Sequence, residues 1–341
     1  MRTLRLRLVA LVAAVAAAAL LPAANADAHA TSGTSTQPLA VTGYQQSSDN
    51  PSRIDADRGA LTDVGVDGIT LEHEGGTMSA VGAGMLVQLA KAHADGLRAE
   101  FLVSNWSDKL GDFDEVLASS MLRNAAKRAN VIGELVQDLT DQPWDGITID
   151  LESLNRRDSQ PLAAFLRDLK AAMPAGRTLD IDLMNSTTLG GFERWGYWLG
   201  KIAAAVDTVT LMAYDQHGPW EPTPGPVNAL PWQRKGLDVL LTKIPRAKVN
   251  LGVAGYGYAW MGKGKPIRTV TDAGARRLVK RHHATAHWNA RAGEWTAKFG
   301  TATVWWSDAR SYRLRVALAT KYRLHGLAIW SLAQADVLPA R

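Results

Sequence analysis

The chain has 341 residues, 46% of them apolar, and no cysteine, so disulfide bridging and thiolate chemistry are excluded and the fold rests on its core alone. The formal charge is +5, but Arg2, Arg5 and Arg7 all precede the first acid, Asp27, and without them it falls to +2. The basic balance therefore gives a nucleic-acid partner little support.

Those three arginines open the first segment. They precede an apolar run, Leu8–Leu21, and small-residue cleavage sites at Ala24-Asn25-Ala26 and Ala26-Asp27-Ala28. The run is too short for a membrane span, and there is no adjacent Arg-Arg pair for twin-arginine export. Residues 1–28 are expected to be a secretory signal peptide, and the mature protein to be extracellular and free of the membrane. Residues 29–39 read as a flexible tether, and 40–341 as one folded unit.

From Ala40 the pattern alternates strand, turn and helix. Strands are expected at Leu39–Tyr44, Gly68–Glu72, Arg98–Ser104, Gly146–Leu151, Thr178–Met184, Thr208–Ala213, Val249–Val253 and Gly326–Trp330. Helical patterns lie between, at Gly84–Ala94, Asp114–Leu139, Pro161–Met173 and Arg310–Tyr322. Eight strands with intervening helices indicate an α/β fold, a (β/α)8 barrel. A doubly wound sheet is the structural alternative, but Gly82-Ala83-Gly84 lacks the third glycine of a phosphate loop. Residues 262–306, rich in Lys, Arg, His and Trp, read as a small α+β insertion between the seventh and eighth strands. About eleven residues follow the last strand, so the closing helix is short or missing.

The fourth strand carries the chemistry. In Trp144–Glu152, Ile147, Ile149 and Leu151 take one face, and Thr148, Asp150 and Glu152 the other. Two carboxylates at i and i+2 share a face about 6.6 Å apart. Such a pair is commonly just a solvated face. On a barrel strand opening into a site, however, one buried and one terminal carboxyl can hold different protonation states, as glycosidic bond cleavage needs.

With these residues in view, the chain resembles the family 18 glycoside hydrolases, the chitinases and their relatives. The family's strand-4 signature D-G-x-D-x-D-x-E is matched by Asp145, Gly146, Asp150 and Glu152. Met212-Ala213-Tyr214-Asp215, Gly252–Gly257 and Gly326–Trp330 are similar to its later strand ends. Ser104-Asn105-Trp106 and Trp305–Ser311 resemble the bacterial branch near spore-type peptidoglycan hydrolases. The resemblance implies a retaining, substrate-assisted hydrolase acting on β-1,4 linkages next to N-acetylglucosamine, in chitin, peptidoglycan or N-glycan type glycans. It implies Glu152 as general acid and then base, Asp150 holding the acetamido N–H, Tyr214 on the acetamido carbonyl, and Trp330 under the sugar. Asp215 and Met212 join the substrate site, as does Tyr256 in the strand-7 ending, while Asp145 is read as structural. A carbohydrate-binding lectin on the same barrel is the alternative, although such relatives typically lose the acid that Glu152 retains.

Two departures stand out. Thr148 replaces the family's middle acid, and Ala254 replaces a proline. In the fifth strand, Asp180 and Asp182 face inward, and Asp182 is expected to supply the missing carboxylate beside Thr148 and Asp150. The alternative is that it caps another interior polar group. Trp106, Trp220 and Trp260 follow strands on the side where sites form, so each is either a stacking platform for sugar or core. Glu72-His73-Glu74 is a candidate for the cleft rim. His282, His283 and His287 have no acid or cysteine at ligand spacing and read as a solvated basic face, so no metal and no cofactor is expected. The partner expected is an N-acetylglucosamine-containing polysaccharide or oligosaccharide, with a monomer as the default state.

Overall fold

A computed structural model of the protein describes residues 38–340, so the segment expected to be a signal peptide and most of the expected tether lie outside the described residues. Eight parallel strands form the barrel: β1 (Ala40–Gln46), β2 (Asp63–Glu72), β3 (Arg98–Ser104), β4 (Gly146–Asp150), β5 (Thr178–Met184), β6 (Thr208–Met212), β7 (Val249–Ala254) and, after five strands of an insertion, β13 (Gly326–Trp330). Their order is β1–β13–β7–β6–β5–β4–β3–β2, and pairing of β2 with β1 closes the ring and leaves no free edge. The fold is the expected (β/α)8 barrel.

Strand parity explains the layering. Ile147 and Ile149 of β4, Leu179 and Ile181 of β5, and Val209 and Leu211 of β6 all point outward and are fully buried under the helices. The opposite parity turns polar groups into the barrel: Glu100, Thr148, Asp150, Asp182, Thr210 and Asn250 are all buried there. An interior this polar holds only if its groups bond one another.

Three strands, Arg98–Ser104, Thr178–Met184 and Gly326–Trp330, match their expected limits. Strand β2 begins at Asp63, five residues before the expected Gly68. Gly65 and Gly68 hide this part of the strand. Gly65 leaves room for the Tyr44 ring, which a Cβ there would strike, and Gly68 sits at a register shift between Asp67 and Ile69. The single helix expected over Asp114–Leu139 is two, Glu115–Arg123 and Ala125–Asp141. Asn124 separates them with φ −106° and ψ 114°, and its Oδ1 accepts from the N–H groups of Ala126 and Lys127.

The insertion begins at 256 rather than 262. Strand β8 (Tyr256–Trp260) already belongs to it, separated from β7 by Gly255 alone. With β9 (Ile267–Thr271), β10 (His287–Asn289), β11 (Glu294–Phe299) and β12 (Ala302–Trp306) it forms an antiparallel sheet in the order β9–β8–β12–β11–β10. The helix Asp272–Arg281 packs on one face, burying Ala275 over Ala259, Val304 and Trp306. Tyr256 and Tyr258 take the other face, toward the mouth of the barrel. A buried polar cluster fastens the insertion down. Arg315, fully buried, donates to the carbonyls of Gly293, Ala292 and Asn228 and to Gln233 Oε1, and lies 3.5 Å from Glu294. Glu294 in turn accepts from the backbone N–H groups of Val227 and Asn228.

No helix follows β13 among the described residues. The tail instead packs back on the carboxyl end of the helix Ser52–Asp57, where Leu338 N–H donates to Asp57 at 2.7 Å. Among the described residues no helix is long and apolar enough to cross a membrane.

Candidate active site

The carboxyl ends of the strands open into a cleft of about 880 Å³. Asp150, Glu152, Tyr214, Asp215, Tyr256 and Trp330 all line it, and so do Met212, Asp182 and Trp106.

Glu152 is placed by Asn105, which follows β3. The Glu152 N–H donates to Asn105 Oδ1 at 2.9 Å, and Asn105 Nδ2 donates to the Glu152 carbonyl at 3.0 Å. Ser153, the next residue, has φ +57°, a left-handed turn that ends the strand direction abruptly. The carboxyl is pushed up to about 8, first by burial and then by Asp215, Asp182 and Asp112. Glu152 is therefore protonated at neutral pH.

Asp150, two residues earlier, is buried, and its Oδ1 has no hydrogen-bond partner among the described residues. Burial raises its carboxyl well above the usual range, and Glu152, Asp182 and Asp67 add to the effect. A buried carboxyl oxygen with nothing to accept is a site for a ligand donor.

Asp182 accepts from the Tyr44 hydroxyl at 2.8 and 3.0 Å. Burial lifts it to about 7, against the hydrogen bonds from Tyr44 and Thr210. It acts electrostatically on Asp150. The Thr148 hydroxyl, however, donates elsewhere, to Glu100 Oε2 on β3 at 3.1 Å. The carboxyl that Thr148 bonds is thus Glu100, while Asp182 lies close enough to Asp150 to act on its charge. The register pairing Leu102 with Thr148 brings β3 alongside β4, and Asp182 spends its hydrogen bonds on Tyr44 and Thr210. Glu100 also accepts from Thr178 and meets Arg98 at 3.4 Å; burial first, then Asp180, raises its carboxyl well above the usual range.

Beyond β6, Tyr214 is buried at the cleft wall and Asp215 has φ +61°, a conformation aspartate tolerates. This turn presents Asp215 to β8, where the Tyr258 hydroxyl donates to it at 2.8 Å and Tyr256 donates to the same oxygen. Trp330 ends β13 with its ring 5.5 Å from that of Tyr44. Trp106 stands half-exposed at the rim, its indole N–H donating to Asp108 at 3.0 Å and its ring edge-on to Phe113.

Other expected groups lie elsewhere. Trp260 is buried against Tyr258 and donates to the Glu221 carbonyl at 3.2 Å, so it supports the wall and does not line the cleft. Trp220 is 60% exposed, edge-on to Tyr258 and outside the cleft lining. Glu72, His73 and Glu74 are exposed and also outside it. Asp145 is at the opposite end of β4, accepting from Ala99 N–H at 2.9 Å and lying 3.0 Å from His93 Nε2. His282 stacks flat on Phe299.

Sequence reasoning missed Glu100 and Tyr44, and noted Asn105 only within a motif. All three lie at inward or terminal positions of strands next to β4 or β13. The alternation in Glu100-Phe101-Leu102-Val103-Ser104 was the available signal for the first.

A protonated glutamic acid, a second buried acid, a tyrosine and an indole meet at the carboxyl end of a (β/α)8 barrel, as in a glycoside hydrolase. Residues 61–335 match the family of glycosyl hydrolases family 18, and the chain belongs to that family. An uncharacterized glycosylase of Bacillus subtilis, YvbX, is 25% identical over 254 residues, covering 72% of this chain and 74% of that protein. The cortical fragment-lytic enzyme of the same organism is 24% identical over 235 residues, 64% of this chain but only 54% of the relative's length. The chain thus spans about half of that enzyme. Among solved structures, a class V chitinase from Pseudomonas fluorescens superposes with a TM-score of 0.80 at 24% identity, over 87% of this chain and 96% of that one.

Proposed function

We propose that the protein is a secreted, retaining hydrolase that cleaves β-1,4 linkages next to N-acetylglucosamine with the substrate's own acetamido group as nucleophile. The observation that carries this reading is a Glu152 carboxyl held protonated, to about 8, in the same cleft as the unpartnered oxygen of Asp150. In the first step Glu152 gives its proton to the glycosidic oxygen as the C1–O bond breaks. The acetamido carbonyl oxygen closes on C1 from the other face, forming an oxazolinium ion. Asp150 Oδ1 accepts the acetamido N–H and so holds the group in line for its attack. The Tyr214 hydroxyl orients the acetamido carbonyl, Trp330 supports the distorted sugar, and Asp215, fixed by two tyrosine hydroxyls, holds the wall. Glu152, now ionised, takes a proton from the water that reopens the ring at C1, which restores the starting state.

Removing a positioned general acid costs about 10²- to 10⁴-fold in rate. Glu152→Gln is therefore expected to lose that much kcat on a chromogenic N-acetylglucosamine oligosaccharide while still binding it. Turnover at the parent rate would refute the assignment. Export rests on residues 1–28. The intact mass of protein recovered from a culture supernatant should correspond to a chain beginning at Asp27 or His29, and an uncleaved cytoplasmic product would count against secretion.

A further inference from the structure

Six carboxyl groups line the cleft: Asp67, Asp108, Asp150, Glu152, Asp182 and Asp215. Among the described residues, no Lys, Arg or His lines it. The reaction proposed above uses Asp150, Glu152 and Asp215, and Asp182 is bound to Tyr44, which leaves Asp67 and Asp108 without a role. Both stand on the β2–β3 wing, the side that also presents Trp106. Asp67, at the bulge in β2, is lifted by burial to about 6 and so is ionised at neutral pH. Asp108 is held against the indole N–H of Trp106. Lys109 follows Asp108 in the chain but does not line the cleft. The facing wing, from the insertion, contributes the uncharged Tyr256, Tyr258 and Thr269. The cations of the molecule are gathered outside the cleft. Residues 256–306 hold nine Lys and Arg against two acids, Asp272 and Glu294, and both acids are buried.

We infer that Asp67 and Asp108 make the Trp106 wing a selectivity filter that admits neutral or amine-bearing sugars and rejects sugars carrying a carboxylate. The inference rests on the glycan-cleaving reading and narrows its substrate class. A glycan that stacks on the Trp106 indole meets Asp108 at that ring and Asp67 deeper in the same cleft, at the level of Leu102. A carboxylate there, on a lactyl ether or peptide stem, meets like charge with no compensating cation. Like charges a few ångströms apart at a partly desolvated surface weaken binding by roughly tenfold each. A free amine from a de-N-acetylated sugar gains by a similar factor.

The test compares three oligosaccharides of equal length: fully N-acetylated, partly de-N-acetylated, and a peptidoglycan glycan strand bearing lactyl carboxylates. The expected kcat/KM order is amine-bearing at or above neutral, with the carboxylate-bearing strand roughly a hundredfold lower. The double variant Asp67→Asn with Asp108→Asn should compress the amine-to-carboxylate ratio at least tenfold, and raising NaCl from about 50 to 500 mM should compress it as well. Equal use of the acidic and neutral strands by the parent enzyme, or a ratio unmoved by the double variant, would overturn the inference. The same ranking in dissociation constants, read by tryptophan fluorescence on Glu152→Gln, tests it without turnover. Absence of cleavage by the parent on all three substrates overturns the hydrolase reading, and the affinity ranking still decides this one.

Discussion

Glu152 and Asp182 both keep a proton near neutrality because the barrel takes them out of water, yet their surroundings assign them different work. Glu152 projects past the strand end, where a leaving group can reach it. Asp182 is one layer down and locked to Tyr44. The first consequence is a pH–rate profile. As pH rises through about 8, Glu152 loses its proton, so kcat/KM should fall about tenfold per pH unit on the alkaline side. An alkaline limb starting below pH 6 would contradict the environment described. Tyr44→Phe removes the hydroxyl that opposes the burial of Asp182. It should therefore shift the profile while leaving KM within about twofold, which initial-rate kinetics would read. The strand-4 and strand-6 motifs announced Glu152, Asp150 and Tyr214, because chemistry at a strand end needs particular residues at fixed spacing. Asn105, Tyr44 and Glu100 were illegible for the opposite reason. Their importance comes from which strand lies beside which, and at what register, and no single strand's sequence encodes that. Trp260 was open to both readings because an indole at a strand end suits a sugar or a tyrosine cluster equally well.

At the level of elements, the strands were legible wherever apolar alternation ran unbroken and blurred wherever glycine interrupted it, as in β2. The division at Asn124 could not be seen in apolar periodicity because both helices keep their buried faces in phase. The two Asn124 cap bonds imply that Asn124→Ala costs about 1 kcal/mol, measurable by urea denaturation. A larger effect is expected at the join of barrel and insertion. Gln233 donates to the carbonyls of Ala213 and Gly252 and accepts from Arg315, so it fixes the backbone immediately before Tyr214. Gln233→Leu should lower kcat more than it raises KM. Arg315→Met, which leaves Glu294 buried without its cation, should cost about 3–5 kcal/mol in urea denaturation.

Taken as a whole, the molecule stores protons in its interior. Asp67 and Asp180 are raised to about 6, Asp182 to about 7 and Glu152 to about 8, in each case chiefly by burial. Unfolded, such groups titrate near 4, so between those values the folded state binds more protons than the unfolded one. Their contribution to stability is fully present below about pH 4 and is lost as pH rises through about 6 to 8. The melting temperature should accordingly fall between pH 5 and pH 8.5, and Asp182→Asn should flatten that slope. A melting temperature rising over the same range would contradict the accounting.

The buried contact of Arg315 with Glu294 also bears on how this scaffold can be re-engineered. A guanidinium sealed within the wall and satisfied mainly by carbonyls of residues 228, 292 and 293 makes the insertion an integral part of the architecture. Excising it to obtain a minimal barrel would strand that cation in a dry pocket. Attempts to shorten or swap loops in this enzyme should therefore be confined to the hairpin tips, near residues 262–266 and 300–301, where neither strand pairing nor the sealed cluster is disturbed.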